Sequence, residues 1–283
     1  IFVDSSEDVP LALERAAAAV SGGARIVEWR LDAIAEEPDP LPAIERLLAD
    51  SPATSIVTIR SEDEGGTWVG TEQQRISILE AVGTGDHPPA YLDIELKAWQ
   101  SSANLRQKVR LVIDHSNQVR DISTRLILSS HEFGGRPGDL LTRVAGMAEE
   151  EACAIGKMVY MARSLRDCLE MFDLLATRPK PLIALAMGEF GTMSRILAPK
   201  FGGFLTFAAS DPAGGTAPGQ PTIDELRWTY RFDRIASSTA VGSSSTPRRS
   251  AICCRVLVLE SASMVALTRF FEFVDPNDLV RQS

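Results

Sequence analysis

The chain has little with which to hold a metal. Its four cysteines, Cys153, Cys168, Cys253 and Cys254, show no metal-ligand spacing, and the adjacent pair Cys253-Cys254 makes a poor disulfide framework. That usage fits a reducing compartment, and a cytoplasmic location is expected. Positive charge is not in excess: the net charge is −9, and no basic stripe with interleaved aromatics occurs, so nucleic acid is not an expected partner. No apolar run reaches the roughly 18 residues of a membrane span, which argues against a membrane protein. No secretory signal is visible, but the chain opens at Ile1 rather than at methionine, so a leader before it is left open. What remains is 45% apolar and 24% charged, the balance of an ordinary soluble globular protein, and 283 residues suffice for one large domain or two small ones.

Short apolar runs alternate with helical patterns. Strands are expected at 1–3, 26–30, 55–60, 90–95, 125–130, 154–160, 182–187 and 203–207. Helices are expected at 9–21, 41–49, 71–82, 103–119, 140–151, 165–176, 192–200 and 222–231; the last carries Asp224 and Glu225 in its first turn, where the helix dipole favours them. Eight βα units over residues 1–235 have the rhythm of an α/β fold of the (β/α)8 TIM-barrel type. The alternative, a doubly wound open sheet, lacks the glycine-rich turn expected after its first strand. Residues 237–249 are rich in Ser, Thr, Pro and Arg and read as linker, and 236–283 as a tail of uncertain structure.

Lys157 is the residue that breaks the pattern. It stands in the apolar run Ala154-Ile155-Gly156-Lys157-Met158-Val159-Tyr160, which reads as a strand buried on both faces. Burial disfavours an ammonium, and a neutral amine can attack a carbonyl and form a Schiff base. A lysine whose stem is buried and whose head reaches the strand end would look the same in isolation.

Barrel chemistry belongs at the C-terminal ends of the strands. There the sequence delivers Glu28 and Arg30, which alternation puts on one face with Trp29 on the other, then Arg60, Glu95, His131, Lys157 and, in a following loop, Arg195. Singly, Glu28 with Arg30 could be a structural ion pair, His131 a loop cap, and Arg60 and Arg195 surface groups. His87 and His115 read as structural. The convergence of ionisable groups on one rim is what a polar, anionic substrate requires. Lys157 would make an iminium with a ketone, and His131 would move the proton of the adjacent carbon and then protonate a leaving hydroxyl. Glu95 would orient the imidazole, and Arg195 or Arg60 would hold a substrate carboxylate through a bidentate fork. Residue types alone leave elimination and aldol cleavage both open.

These residues, in order, resemble those of type I 3-dehydroquinate dehydratase. The motifs are Glu28-Trp29-Arg30-Leu31-Asp32, Thr58-Ile59-Arg60-Ser61 with Glu64-Gly65-Gly66, Asp93-Ile94-Glu95, Ser130-His131-Glu132-Phe133, Lys157, Met187-Gly188 through Gly191 to Ser194-Arg195, and Ala217-Pro218-Gly219-Gln220. The resemblance covers about residues 1–235. It implies that Lys157 forms the imine with the C3 ketone of 3-dehydroquinate, and that His131, partnered by Glu95, drives loss of water to 3-dehydroshikimate. It further implies that Glu28, Arg30 and Arg60 contact the substrate, that Arg195 is the main carboxylate clamp, and that Gln220 and Thr216 sit in a closing loop. It implies no metal and no diffusible cofactor, and suggests a homodimer.

The sequence also departs from that pattern. Thr216 stands where the family commonly has Ser, and Ala154 where an acidic residue is frequent. The opening strand looks clipped to Ile1-Phe2-Val3. Leu226-Arg227-Trp228 onward looks like the run into a fused shikimate dehydrogenase, and Phe273-Val274-Asp275-Pro276-Asn277-Asp278-Leu279 looks like that partner again. The stretch between them does not, so the tail reads as a degenerate or out-of-frame remnant, and no dehydrogenase activity is expected. The competing readings are another Schiff-base barrel, such as a class I aldolase, and a non-functional descendant.

Overall fold

Apolar runs bounded by turns give strands buried on both faces, and six of them pair in sequence order. The computed structural model describes residues 1–119, 123–210, 215, 217–245, 254–260 and 263–264. The strands are β1 (Ile26–Arg30), β2 (Thr54–Thr58), β3 (Tyr91–Glu95), β4 (Arg125–Glu132), β5 (Cys153–Met161) and β6 (Leu182–Met187). All are parallel, in the order β1-β2-β3-β4-β5-β6. The helices are α1 (Val9–Ser21), α2 (Leu41–Ala49), α3 (Glu72–Thr84), α4 (Leu96–Ser101), α5 (Ala103–Val119), α6 (Leu140–Glu149), α7 (Leu165–Thr177) and α8 (Thr192–Leu197). This is the α/β barrel architecture.

Two expected strands close the barrel only loosely. Residues 1–3 meet β1 through one parallel bridge, Phe2 with Arg30, flanked by Val3 N donating to Arg30 O at 3.0 Å and Arg30 N donating to Ile1 O at 2.9 Å. Residues 203–207 touch β6 through Phe204 N donating to Leu182 O at 3.0 Å. Neither run adds enough ladder bonds to extend the six-stranded sheet. Between them lies a seam, with a cavity of about 850 Å³ lined by Ile1, Val27, Glu28, Phe204, Phe207 and Gln220 among others.

Three helices differ from expectation. The one expected at 192–200 ends at Leu197 and continues as a 3-10 turn over Ala198–Phe201, because Pro199 has no N–H for the next helical bond. The one at 222–231 winds wide, as a π-turn over Glu225–Thr229; Leu226 is buried, and Arg227 reaches back to donate to Gly22 O at 2.6 Å. α4 was not anticipated, being only six residues directly after β3. In the tail, Ala240–Ser245 pairs antiparallel with Cys254–Glu260, and that strand with Ser263–Met264. The dehydrogenase-like run at 273–279 lies outside the described residues.

The strand register sorts side chains into layers. Ile26, Ile56, Tyr91, Ile127, Ile155 and Ile183 plug the base of the barrel interior, with Tyr91 packed edge-on to Phe204 at 5.9 Å between ring centroids. Two residues further along β1 to β5 the same face carries Glu28, Thr58, Asp93, Ser129 and Lys157, while β6 keeps an apolar Leu185 there. The opposite faces carry Val27, Trp29, Val57, Leu92 and Leu128 into the layer of helices. Each fully buried large aliphatic side chain stabilises by about 1.5–3 kcal/mol, and this apolar plug offsets the desolvation of the charges above it.

The turn after β2 is built to a tight tolerance. Gly66 N donates to Ser61 O at 2.9 Å, and a Cβ on Gly66 would stand 1.9 Å from the Arg60 carbonyl oxygen. Backbone cannot yield as a side-chain tip can. Gly66→Ala is expected to cost about 1–3 kcal/mol, a fall in Tm of several degrees in thermal unfolding followed by circular dichroism. An unchanged Tm would mean that the turn adjusts freely.

Candidate active site

Alternation within β5 resolves the oddity of Lys157. Its sequence neighbours Met158 and Tyr160 face the helices, while Lys157 faces the polar interior layer of the barrel. The buried amine donates to Asp93 Oδ2 at 2.8 Å and to Glu28 Oε1 at 3.2 Å, and lies 4.6 Å from the centroid of the Phe207 ring. The apolar surroundings read from the linear sequence therefore become two carboxylates and one aromatic face. Burial would raise both carboxyls, but Lys157 beside Glu28, and Arg60 with Lys157 beside Asp93, hold them below the usual range.

Arg60 is the hub of the charges. Its guanidinium donates to Asp93 Oδ1 at 2.7 Å and to Ser129 Oγ at 2.8 Å, and stands 3.4 Å from Glu95 Oε1 and 3.9 Å from Glu64 Oε2. Arg60 was one of two arginines expected to clamp a substrate carboxylate, yet its own carboxylates already surround it. Arg30 pairs with Asp32 at 2.5 Å rather than with Glu28, over the Phe2 ring. Asp32 in turn accepts from the backbone N–H of Arg60 at 2.8 Å.

His131 closes the strand end of β4, and the carboxylate beside it differs from the expected Glu95. The carboxylate behind the imidazole is Glu64, whose Oε2 lies 3.0 Å from His131 Nδ1 and also accepts from His131 N at 3.0 Å. Glu95 is engaged elsewhere: Oε1 accepts from Ser61 N at 2.9 Å, and Oε2 takes a short contact from Arg75. The one-turn helix Glu62–Glu64 swings Glu64 across to His131, while two arginines and a backbone N–H capture Glu95. Burial pushes the His131 imidazole well below its ordinary value, with Arg60 and Lys157 adding to the effect. Burial raises the Glu64 carboxyl to about 7, against the pull of Arg60 and with the help of Glu95.

Arg195 stands apart in kind. It is buried in the last turn of α8, and its Nε has no hydrogen-bond partner among the described residues. Among the described residues no carboxylate lies within ion-pair distance of it. Burial lowers its guanidinium to about 10. A desolvated guanidinium without an internal counter-ion is a ready receptor for an external carboxylate. Ser194 fixes the helix start, accepting from Ala186 N at 2.8 Å and donating to Gly191 O at 2.7 Å.

The 217–220 turn docks on the end of β6. Gly188 N donates to Pro218 O at 2.9 Å, and Gly219, at φ 71°, approaches so closely that a Cβ would stand 2.3 Å from Gly188 O. Only glycine suits both the left-handed backbone and that approach. Gln220 lines the seam cavity with Glu28 and Phe207. Thr216 lies outside the described residues. The structure thus gathers Glu28, Arg60, Lys157 and His131 into one network, with Arg30 tied to it through Asp32.

Two members of this network, Asp93 and Glu64, had no role assigned from sequence. Asp93 shares a strand face with Glu95, and Glu64 stands four residues after Arg60; both spacings were visible signals. Among the described residues no cluster of His, Cys, Asp and Glu is placed to hold a metal, and no helix is long and apolar enough to cross a membrane.

Comparison with known proteins bears on the family and the fold. The family model described as type I 3-dehydroquinase matches residues 5–237. The 3-dehydroquinate dehydratase of Desulfotalea psychrophila is 35% identical over 74% of this chain and 87% of its own length. The chloroplastic bifunctional 3-dehydroquinate dehydratase/shikimate dehydrogenase of Arabidopsis thaliana is 34% identical over 77% of this chain, which spans only 34% of the plant protein. In three dimensions the 3-dehydroquinate dehydratase of Geobacillus kaustophilus superposes with a TM-score of 0.67 at 27% identity, over 80% of this chain and 86% of that one. With the family model matched over residues 5–237, the chain belongs to the type I 3-dehydroquinase family.

Proposed function

We propose that this chain is a 3-dehydroquinate dehydratase, a hydro-lyase of the shikimate pathway that works through a Schiff base on Lys157. The observation that carries the assignment of roles is the placement of Lys157 Nζ, 2.8 Å from Asp93 and 3.2 Å from Glu28, in the buried polar layer that also contains Arg60. Arg195 takes the substrate carboxylate, since its guanidinium is buried and has no counter-ion among the described residues. Glu28 and Arg30 contact substrate hydroxyls, and Gln220 with Thr216 belongs to the loop that closes over the ring.

Lys157 first passes a proton to the neutral His131; its amine then attacks the C3 ketone, and His131 returns that proton as the carbinolamine loses water, which gives a protonated imine. That imine withdraws electrons and acidifies C2. His131, kept neutral by burial, removes the C2 proton through its free Nε2, while Glu64 accepts from Nδ1–H and fixes the tautomer. The enamine then expels the C1 hydroxyl, which leaves as water with the proton that His131 carries. Hydrolysis of the imine restores the amine and releases 3-dehydroshikimate. Arg60 holds Asp93 and Glu64 in place, which supports Arg60 as an organiser of the site rather than its main clamp.

Residues 1–235 form the catalytic unit in this reading, and 236–283 stand outside it. The buried free thiols of Cys153 and Cys168 suit a cytoplasmic enzyme. A homodimer is the assembly that the family resemblance suggests. The dehydrogenase activity in the name of the plant relative is not assigned to this chain.

Purified protein is expected to convert 3-dehydroquinate to 3-dehydroshikimate, followed by the ultraviolet absorbance of the conjugated product. Lys157→Ala should abolish turnover, and His131→Ala should lower kcat by roughly 10²–10⁴-fold; wild-type protein without activity overturns the assignment. The pH profile offers a second test. Glu64 is protonated below its value of about 7 and ionised above it, so kcat should rise with pH through about 7. Glu64→Gln should lower kcat by roughly 10–10²-fold and remove that limb; a limb that survives in the variant assigns it to another group.

A further inference from the structure

Arg75 is a buried cation that the mechanism above does not use. It sits in the first turn of α3, where the helix dipole disfavours a positive charge, and it is 3% exposed. Two local rules are broken at one residue, which calls for a compensating tertiary role. Its partners supply one. Nε donates to Glu72 Oε2 at 3.1 Å on its own helix, Nη1 donates to the Ile59 carbonyl at 3.4 Å, and the same Nη1 makes a short contact with Glu95 Oε2.

Glu95 opens on its other side to Arg60, at 3.4 Å. From Arg60 the alternation of charge continues to Asp93 at 2.7 Å and to the Lys157 amine at 2.8 Å, with a branch to Glu64 at 3.9 Å and so to His131. We propose that Arg75 is a positioning residue for the reaction: from outside the barrel it fixes Glu95, and through Glu95 the Arg60 guanidinium that holds Asp93 against Lys157 and Glu64 near His131.

The consequence has a sign. Glu95 is shared between two guanidinia and accepts from Ser61 N at 2.9 Å. Without Arg75, Glu95 stays ionised, because Arg60 and Ser61 still face it, and it draws Arg60 toward itself. Arg60 then recedes from Glu64, the farther of its carboxylates. The groups facing Glu64 are Arg60 at the end of β2, Asp93 and Glu95 on β3, and His131 on β4. Beyond them lies the exposed pair of Lys97 with Asp63, 2.8 Å apart. Of these, Arg60 favours the ionised form of Glu64, and its retreat together with an unbalanced Glu95 favours the protonated form. The acid limb of kcat therefore moves to higher pH.

The proposal rests on the dehydratase reading, and the test separates the two. Arg75→Met and Arg75→Gln remove the charge, the second keeping a donor for Glu95, and Arg75→Lys restores it. In the full chain, kcat for 3-dehydroquinate is measured from pH 5 to 10 alongside Tm. The neutral variants are expected to shift the acid limb upward by about one pH unit, to lose roughly tenfold in kcat at pH 6, and to recover toward the wild-type plateau at high pH. Arg75→Lys should return most of the shift. If Arg75→Met does not fold, Arg75→Gln carries the same expectation. A lowered Tm with the limb unmoved in a folded neutral variant overturns the proposal and leaves Arg75 a structural ion pair. Inactive wild-type protein overturns the dehydratase reading instead.

Discussion

Asp93 holds two cations at once, Arg60 through one oxygen and Lys157 through the other. The site depends on this shared carboxylate, because it joins the amine that would react to the guanidinium that organises the other acids. Coulomb attraction between such neighbours is on the order of a few kcal/mol at an effective dielectric near 20, and desolvating each ion costs several. The terms nearly cancel, so the network adds little to stability. Its effect is geometric: it sets where the Lys157 nitrogen stands and which carboxylate reaches His131.

The apolar base of the barrel makes this arrangement affordable. Ile56, Tyr91, Ile127, Ile155 and Ile183 fill the interior below the charged layer, so the charges sit above an apolar floor. The period of two then separates the layers without further instruction. Ile155 and Lys157 share a face, as do Tyr91, Asp93 and Glu95, and these strands climb from plug to chemistry in two residues.

Much of this was legible in the sequence, for reasons that particular residues show. The parallel strands read as apolar runs, and Glu28 with Arg30 on one face of β1 and Trp29 on the other follows from alternation alone. Pairing across distant segments was not legible. Nothing in the linear order says that Glu64, carried by a turn after β2, reaches His131 past the intervening strand, or that Glu95 turns away to Arg60 and Arg75. Pairing is decided by which donors crowd a carboxylate in space, and Glu95 meets two guanidinia and a backbone N–H. The flanking segments at 1–3 and 203–207 read as strands because they are apolar, but apolarity does not guarantee a hydrogen-bonded neighbour, and each finds only an edge contact.

The most direct test of the account is the chemical identity of the residue that captures substrate. Full-length protein incubated with 3-dehydroquinate and reduced with borohydride should give a stable adduct, which digestion and mass spectrometry place on Lys157, in His131→Ala as well as in wild type. An adduct on a different lysine, or none under conditions where the enzyme turns over, would contradict a Schiff base held between Asp93 and Glu28.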